Sequence, residues 1–183
     1  MAAPVVGSRR HTAGALWIAL AVCAADVVSK VLVVADLAPQ RPVTLLSGLI
    51  TLHLYRNPGA AFGIGPSYTV VFALIEAGAL AAILRLSRRL KSWPWSVALG
   101  LLLGGAAGNL ADRLFRSPGP LQGFVVDWIK LPYFPPTFNL ADSAITIGAV
   151  LLVLATARGW QLDGSGSRPE DKVPPAGLSE PTS

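Results

Sequence analysis

The sequence predicts an all-α membrane protein, with four transmembrane helices and small extracytoplasmic β and loop elements. Three observations carry this. Of the 183 residues, 52% are hydrophobic and only 14% charged, and the mean hydropathy is +0.55, which leaves too little polar surface to coat a water-soluble domain. Four stretches, 13–35, 67–86, 94–112 and 140–158, approach or exceed the roughly 20 apolar residues that cross a hydrocarbon core. Most of the basic residues that flank these stretches, finally, fall on one side of the membrane when all four stretches cross it.

The first stretch follows Arg9 and Arg10, and LAVC at 20–23 loosely resembles the cleavage box of a secretory leader. Val22 stands where a small residue is needed before Cys23, and the apolar run continues to Val34, so the helix is expected to be retained. The next segment includes PVTLLSGLITLHLYRNPGAAFGIG at 42–65, where apolar and polar positions partly alternate and Gly48 marks a turn. One or two short strands on the outer membrane surface are expected there. The second stretch carries Glu76 at mid-helix, expected as a protonated carboxyl hydrogen-bonded between helices. Arg85, Arg88, Arg89 and Lys91 then crowd a short turn before the third stretch, and Arg158 follows the fourth.

With Arg9 and Arg10, these charges put both termini in the cytoplasm and the segments 36–66 and 113–137 outside. The expected organisation is a cytoplasmic segment 1–12, a four-helix domain 13–159 and a disordered cytoplasmic tail 160–183, rich in Gly, Ser and Pro. The net charge of +5 follows from topology, and without basic residues interleaved with stacking aromatics no nucleic-acid partner is expected. The lone Cys23 excludes an intramolecular disulfide, and two histidines, His11 and His53, argue against a zinc site. No metal or cofactor is expected.

Polar residues at membrane depth are costly, and most of them gather at the outer level. Asp26 and Lys30 lie in the outer half of helix 1, Asn109, Asp112 and Arg113 at the outer end of helix 3, and Asn139 and Asp142 at the outer start of helix 4, while Asn57 and Asp127 come from the outer loops. Each has a plain alternative. Asp26 and Lys30, four apart, form an ion pair that would hold helix 1 in place. In GGAAGNLADR, Asn109 and Arg113 share a face, Arg113 offsets the poor placement of Asp112 near a helix C-terminus, and the glycines admit a neighbouring helix, so scaffold and substrate contact stay equally open. Asn139 with Asp142 fits an N-cap followed by an acid at its third position.

Asp127 has no capping role to explain it, standing in GFVVDWIKLPYF among bulky apolar residues. A second carboxylate facing Asp142 would share its proton, because like charges in apolar surroundings resist joint ionisation. Such a pair hydrolyses by acid–base catalysis, the ionised member taking a proton from water while the other polarises the scissile carbonyl. Neither histidine has an evident nucleophile partner.

Five ordered motifs, DVVSK at 26–30, RNPGAAFG at 56–63, GGAAGNLADR at 104–113, VVDW at 125–128 and FNLADSAI at 138–145, resemble those of the bacterial lipoprotein signal peptidases, or signal peptidase II family, over about 13–158. The resemblance implies a catalytic pair at Asp127 and Asp142, with Asp26, Lys30, Asn57, Asn109, Arg113 and Asn139 supporting or lining the site. It also implies an intramembrane aspartyl endopeptidase of the bacterial cytoplasmic membrane, which cuts prolipoproteins just before a diacylglyceryl-modified cysteine. Lipidated prolipoprotein and membrane lipid are then the partners, and a monomer is expected. Two departures stand out: the stretch RLFRSPGPLQGF before Val125 is long for the family, and Glu76 matches none of its motifs. A small transporter or proton channel is the alternative, disfavoured because polar groups are not spread through the membrane depth.

Overall fold

The computed structural model describes residues 6–37, 42–59 and 69–165; the expectations for 60–65 and 166–183 lie outside the described residues. Among the described residues, four helices are long and apolar enough to cross a membrane: α1 (Val6–Leu37), α2 (Thr69–Ser87), α3 (Trp93–Phe115) and α4 (Leu140–Ala157). Helix α1 starts well before the expected residue 13 because nothing between Val6 and Ala13 breaks a helix, and Pro4 comes earlier. Its 32 residues run to about 48 Å, more than a ~30 Å hydrocarbon core.

Helix α3 is central, packing against α1, α2 and α4. Its glycines permit this. A Cβ at Gly104 would lie 2.6 Å from the Ala19 carbonyl oxygen of α1, and one at Gly105 would lie 2.5 Å from the Ala141 carbonyl oxygen of α4. Small residues thus let two neighbouring backbones touch α3 from different sides. The outward faces of α1, α2 and α4 stay apolar and exposed, with Trp17, Leu20, Val28, Leu74, Ile75, Val150 and Val153 among them, as lipid-facing surface requires.

Four strands, β1 (Val43–Leu45), β2 (Ile50–Asn57), β3 (Val125–Leu131) and β4 (Phe134–Phe138), form one antiparallel sheet in that spatial order. The first two fall where alternation predicts them. The turn between them needs left-handed backbone, with Gly48 at φ 98°. Strands β3 and β4 replace the outer loop expected at 113–137. The long stretch after Arg113 folds back on itself, the Gly123 N–H donating to the Arg113 carbonyl at 3.1 Å and that of Phe124 to the Ser117 carbonyl at 3.1 Å. The sheet reaches the bundle through β2, which contacts α1, and β3, which contacts α1 and α3.

At the far end of the bundle, residues expected in the tail pack on the helices. The Lys91 N–H donates to the Leu162 carbonyl at 2.9 Å, Trp95 Nε1 donates to the Trp160 carbonyl at 2.8 Å, and Leu162 packs on the cluster of Ala15, Leu90 and Leu99. Residues after α4 therefore strap the α2–α3 turn, where a disordered tail was expected from residue 160. Truncation after Gly159 is expected to cost about 1–3 kcal/mol in stability, from one partly buried leucine and two hydrogen bonds, whereas truncation after Ser165 removes none of these contacts. Melting of the two truncated proteins in detergent checks this; equal midpoints would deny the strap a role.

Candidate active site

The site is assembled where β3 meets the C-terminal end of α3 and the N-terminal end of α4. Val125, Val126 and Asp127 open β3 fully buried, Asp127 at 1% exposure, so both faces of the strand are covered there. Asn57 pairs with Val125 across β2 and β3, which puts its side chain on the face of Asp127, two residues along. Asn57 Nδ2 donates to Asp127 Oδ2 at 2.9 Å, and Asn139 Nδ2 donates to Oδ1 at 2.7 Å. Backbone amides lock both asparagines in this orientation: Asn57 Oδ1 accepts from the Gly59 N–H at 2.8 Å, and Asn139 Oδ1 from the Asp142 N–H at 2.9 Å. Burial pushes the Asp127 carboxyl up to about 7 and the nearby Asp142 charge adds to this, while the two amide donors pull the other way.

Asp142 makes the expected cap and one contact beyond it. It closes a capping box with Asn139 at the start of α4, its Oδ2 accepting from the Asn139 N–H at 3.1 Å. Its other oxygen, Oδ1, accepts from Asn109 Nδ2 at 2.9 Å. Asp127 and Asp142 line one cavity of about 510 Å³, together with Asn57 and apolar groups that include Leu131, Phe134, Phe138 and Ile147. The carboxylates thus share an apolar-walled pocket and one orienting residue, Asn139.

Behind the pocket lies Lys30, with no exposed surface. Its ammonium forms ion pairs with Asp26 Oδ2 at 2.7 Å and Asp112 Oδ2 at 2.9 Å and donates to Asn109 Oδ1 at 2.9 Å. The two carboxylates reach further. Asp26 Oδ1 accepts from the Ala141 N–H of α4 at 2.9 Å, and Asp112 Oδ2 from the Val126 N–H of β3 at 3.0 Å. The expected Asp26–Lys30 pair is present, but as part of a network joining α1, α3, α4 and β3.

Arg113 departs from its expected task. It does not offset Asp112, which pairs with Lys30 and Arg116; its Nε instead meets Glu76 Oε2 at 3.0 Å. Glu76 does bridge helices as expected, and its partner is the Arg113 guanidinium of α3. Arg116 and the apolar wall of β4 were not anticipated. Arg116 had a signal, four residues after Asp112 on one helix face; the wall required knowing that β4 is a strand.

Three comparisons bear on this arrangement. Residues 18–158 match the family model described as signal peptidase (SPase) II. The chain belongs to the signal peptidase II family. All nine residues of the expected site lie inside the matched span. Proteins named lipoprotein signal peptidase are 46% identical over 157 residues in Streptomyces griseus, covering 86% of this chain and 80% of that protein, and 44% identical over 156 residues in Mycobacterium tuberculosis, covering 85% and 77%. A bacterial membrane enzyme solved by the in meso method at 1.9 Å superposes with a TM-score of 0.69 at 31% identity, over 78% of this chain and 91% of that one. A second, at 2.3 Å, gives 0.68 at 29% identity, over 85% and 92%. Membership in this family makes the chain a membrane peptidase of lipoprotein processing, and it lends the transport alternative no support.

Proposed function

We propose that Asp127 and Asp142 hydrolyse the signal peptide of a diacylglyceryl-modified lipoprotein precursor as an aspartic acid–base pair, cutting just before the lipidated cysteine. The observation that carries this is the shared pocket, in which both carboxyls face one apolar-walled space. Asp142, at the N-terminus of α4, is the ionised base, since a helix N-terminus favours negative charge. Asp127, pushed up to about 7 mainly by burial, holds the proton.

Water between them loses a proton to Asp142 as its oxygen bonds to the scissile carbonyl carbon, while Asp127 hydrogen-bonds to the carbonyl oxygen and transfers its proton there. The gem-diol then collapses: Asp127 takes back the hydroxyl proton, Asp142 gives its proton to the leaving nitrogen, and the C–N bond breaks. Products are a carboxylic acid and an amine, and the pair again holds one proton. Asn57 and Asn139, locked by backbone amides, orient Asp127 throughout.

Both termini are placed in the cytoplasm and the sheet on the outer face, a topology supported by the basic α2–α3 turn and Arg158. A signal helix in the bilayer would then bring its scissile bond to the depth of the pocket, and Leu131, Phe134, Phe138 and Ile147 offer apolar surface to the lipidated residue. The catalytic unit is a monomer, since one chain supplies every group of the site.

Cleavage of a lipidated peptide as a function of pH is the test. A bell is expected in kcat/KM, its acid limb marking loss of the ionised partner and its alkaline limb loss of the shared proton, the latter near pH 7. A flat profile from acid to strongly alkaline pH, with the enzyme intact at each point, would overturn the shared proton.

A further inference from the structure

Glu76 is a half-buried acid for which the proposed chemistry has no use. It sits on α2, which supplies no other charged residue to the site, and both its oxygens accept from Arg113 Nε, at 3.1 and 3.0 Å. The Arg113 side chain is 6% exposed and that of Glu76 23%. One turn before Glu76, Phe72 lies under the guanidinium, whose carbon is 5.8 Å from the ring centroid. Helix α2 thus grips Arg113 at two points on one face. The other end of the guanidinium is not held: Nη1 is buried and has no hydrogen-bond partner among the described residues.

This grip touches the site by two routes. Packing is the first. A Cβ on Gly59 would come within 2.6 Å of the Phe72 ring, so ring and backbone are in close contact, and the Gly59 N–H fixes Asn57, a partner of Asp127. Charge is the second, because Glu76 lies within electrostatic range of Asp142 and Lys30. The other ionisable groups around the site are Asp26 and Lys30 of α1, Asp112 and Arg116 of α3, Asp127 of β3 and Asp142 of α4. His53 and Arg56 of β2 and Lys130 of β3 are exposed.

From this geometry we infer that Glu76 is a positioning residue, which restrains the Arg113 guanidinium and cancels its charge so that the aspartate pair keeps its shared proton at neutral pH. The sign is the same by both electrostatic paths. Without the carboxylate, Arg113 is an uncompensated buried cation, which favours ionised aspartates; the direct repulsion between Glu76 and Asp142 is lost as well, which favours the same state. The aspartates would then release their proton at lower pH. A residue that merely joined α2 to α3 would alter yield or melting and leave the pH dependence where it was.

The inference rests on the aspartate-pair reading, and one experiment separates the two. Full-length wild type, E76D and E76Q are assayed in detergent for kcat/KM on a lipidated peptide from pH 4 to 10, with melting measured on each. In E76Q the alkaline limb is expected to move toward acid by about 0.5–1 unit, a rate loss of roughly 3–10-fold on the alkaline side. E76D, with its charge retained on a shorter arm, should fall between E76Q and wild type. If E76Q does not yield folded protein, the limb of E76D alone decides, a shift toward acid supporting the role. Limbs that coincide with wild type would overturn it at any height of the bell, and a flat wild-type profile would instead overturn the aspartate pair.

Discussion

Asp127→Asn and Asp142→Asn are each expected to lower turnover of a lipidated substrate by about 10²–10⁴-fold, the scale of a lost general acid or base. Their effects on stability should differ, and that difference reports on the two environments. Both oxygens of Asp142 accept hydrogen bonds, from Asn109 and from the Asn139 backbone, so an amide there turns one acceptor into a donor and weakens the cap, at about 1 kcal/mol. Asp127 is a pH-dependent case. Its folded-state carboxyl lies at about 7 against 3.8 for an unperturbed one. A raised value means that its contribution is fully present below the unfolded pKa and lost as pH rises through the folded one. Between pH 5 and 8 wild type should therefore lose about 2–3 kcal/mol that D127N does not, given about two pH units below 7 at ~1.4 kcal/mol each. Melting at both pH values measures this. A constant offset between wild type and D127N would mean that Asp127 is not held in a desolvating environment, and near-normal turnover in either variant would end the case for the pair.

The helices were legible because membrane-spanning segments announce themselves locally, by length and apolarity alone. Strand β2 showed partial alternation because its burial varies along its length, whereas β1 is exposed throughout and was marked only by its neighbourhood to the Gly48 turn. Strand β3 did not alternate, because Val125, Val126 and Asp127 are all buried and a strand covered on both faces loses its period of two. Strand β4 was hidden by Pro135 and Pro136, which argue against a central strand but are tolerated at a sheet edge, where β4 lies. The strap over the α2–α3 turn was missed because Trp160 and Leu162 stand among turn-forming residues, and a single leucine carries no periodicity.

Site residues were legible for a different reason: a polar group at membrane depth needs a partner, so each one invites attention. Partners further along the chain were not legible. Asp26 with Lys30 was visible at i, i+4, whereas the Lys30–Asp112 contact joins residues on different helices, and no local pattern distinguishes Arg113 reaching Glu76 from Arg113 reaching Asp112. The cap reading of Asn139 and Asp142 was accurate and still incomplete, since the capping box leaves Asn139 Nδ2 free to reach Asp127 and one Asp142 oxygen free to reach Asn109.

Lys30→Met should be the most destabilising single change at the site. The ammonium has no exposed surface and sits between two carboxylates that are themselves buried, Asp26 at 0% and Asp112 at 3%. Methionine fills much of the volume but leaves those charges facing each other across apolar atoms, and removing one partner of a buried ionic network costs about 3–5 kcal/mol. Asp112 retains Arg116, while Asp26 retains only a backbone N–H, so the larger part of the penalty should sit on Asp26. A double-mutant cycle can locate it: D26N/K30M is expected to melt above K30M, because the amide removes the orphaned charge and can still accept from the Ala141 N–H. Activity should fall further than stability accounts for. Lys30 donates to Asn109 Oδ1 at 2.9 Å and, with a longer bond of 3.2 Å from Asn139 Nδ2 to the same oxygen, holds its NH2 toward Asp142; without the ammonium only the longer bond keeps the amide from turning its oxygen to a carboxylate. D26N/K30M should therefore regain melting temperature without regaining turnover. If melting of K30M in detergent matches wild type, Lys30 is not part of the scaffold, and if D26N/K30M recovers both properties together, Asn109 does not depend on Lys30 for its orientation.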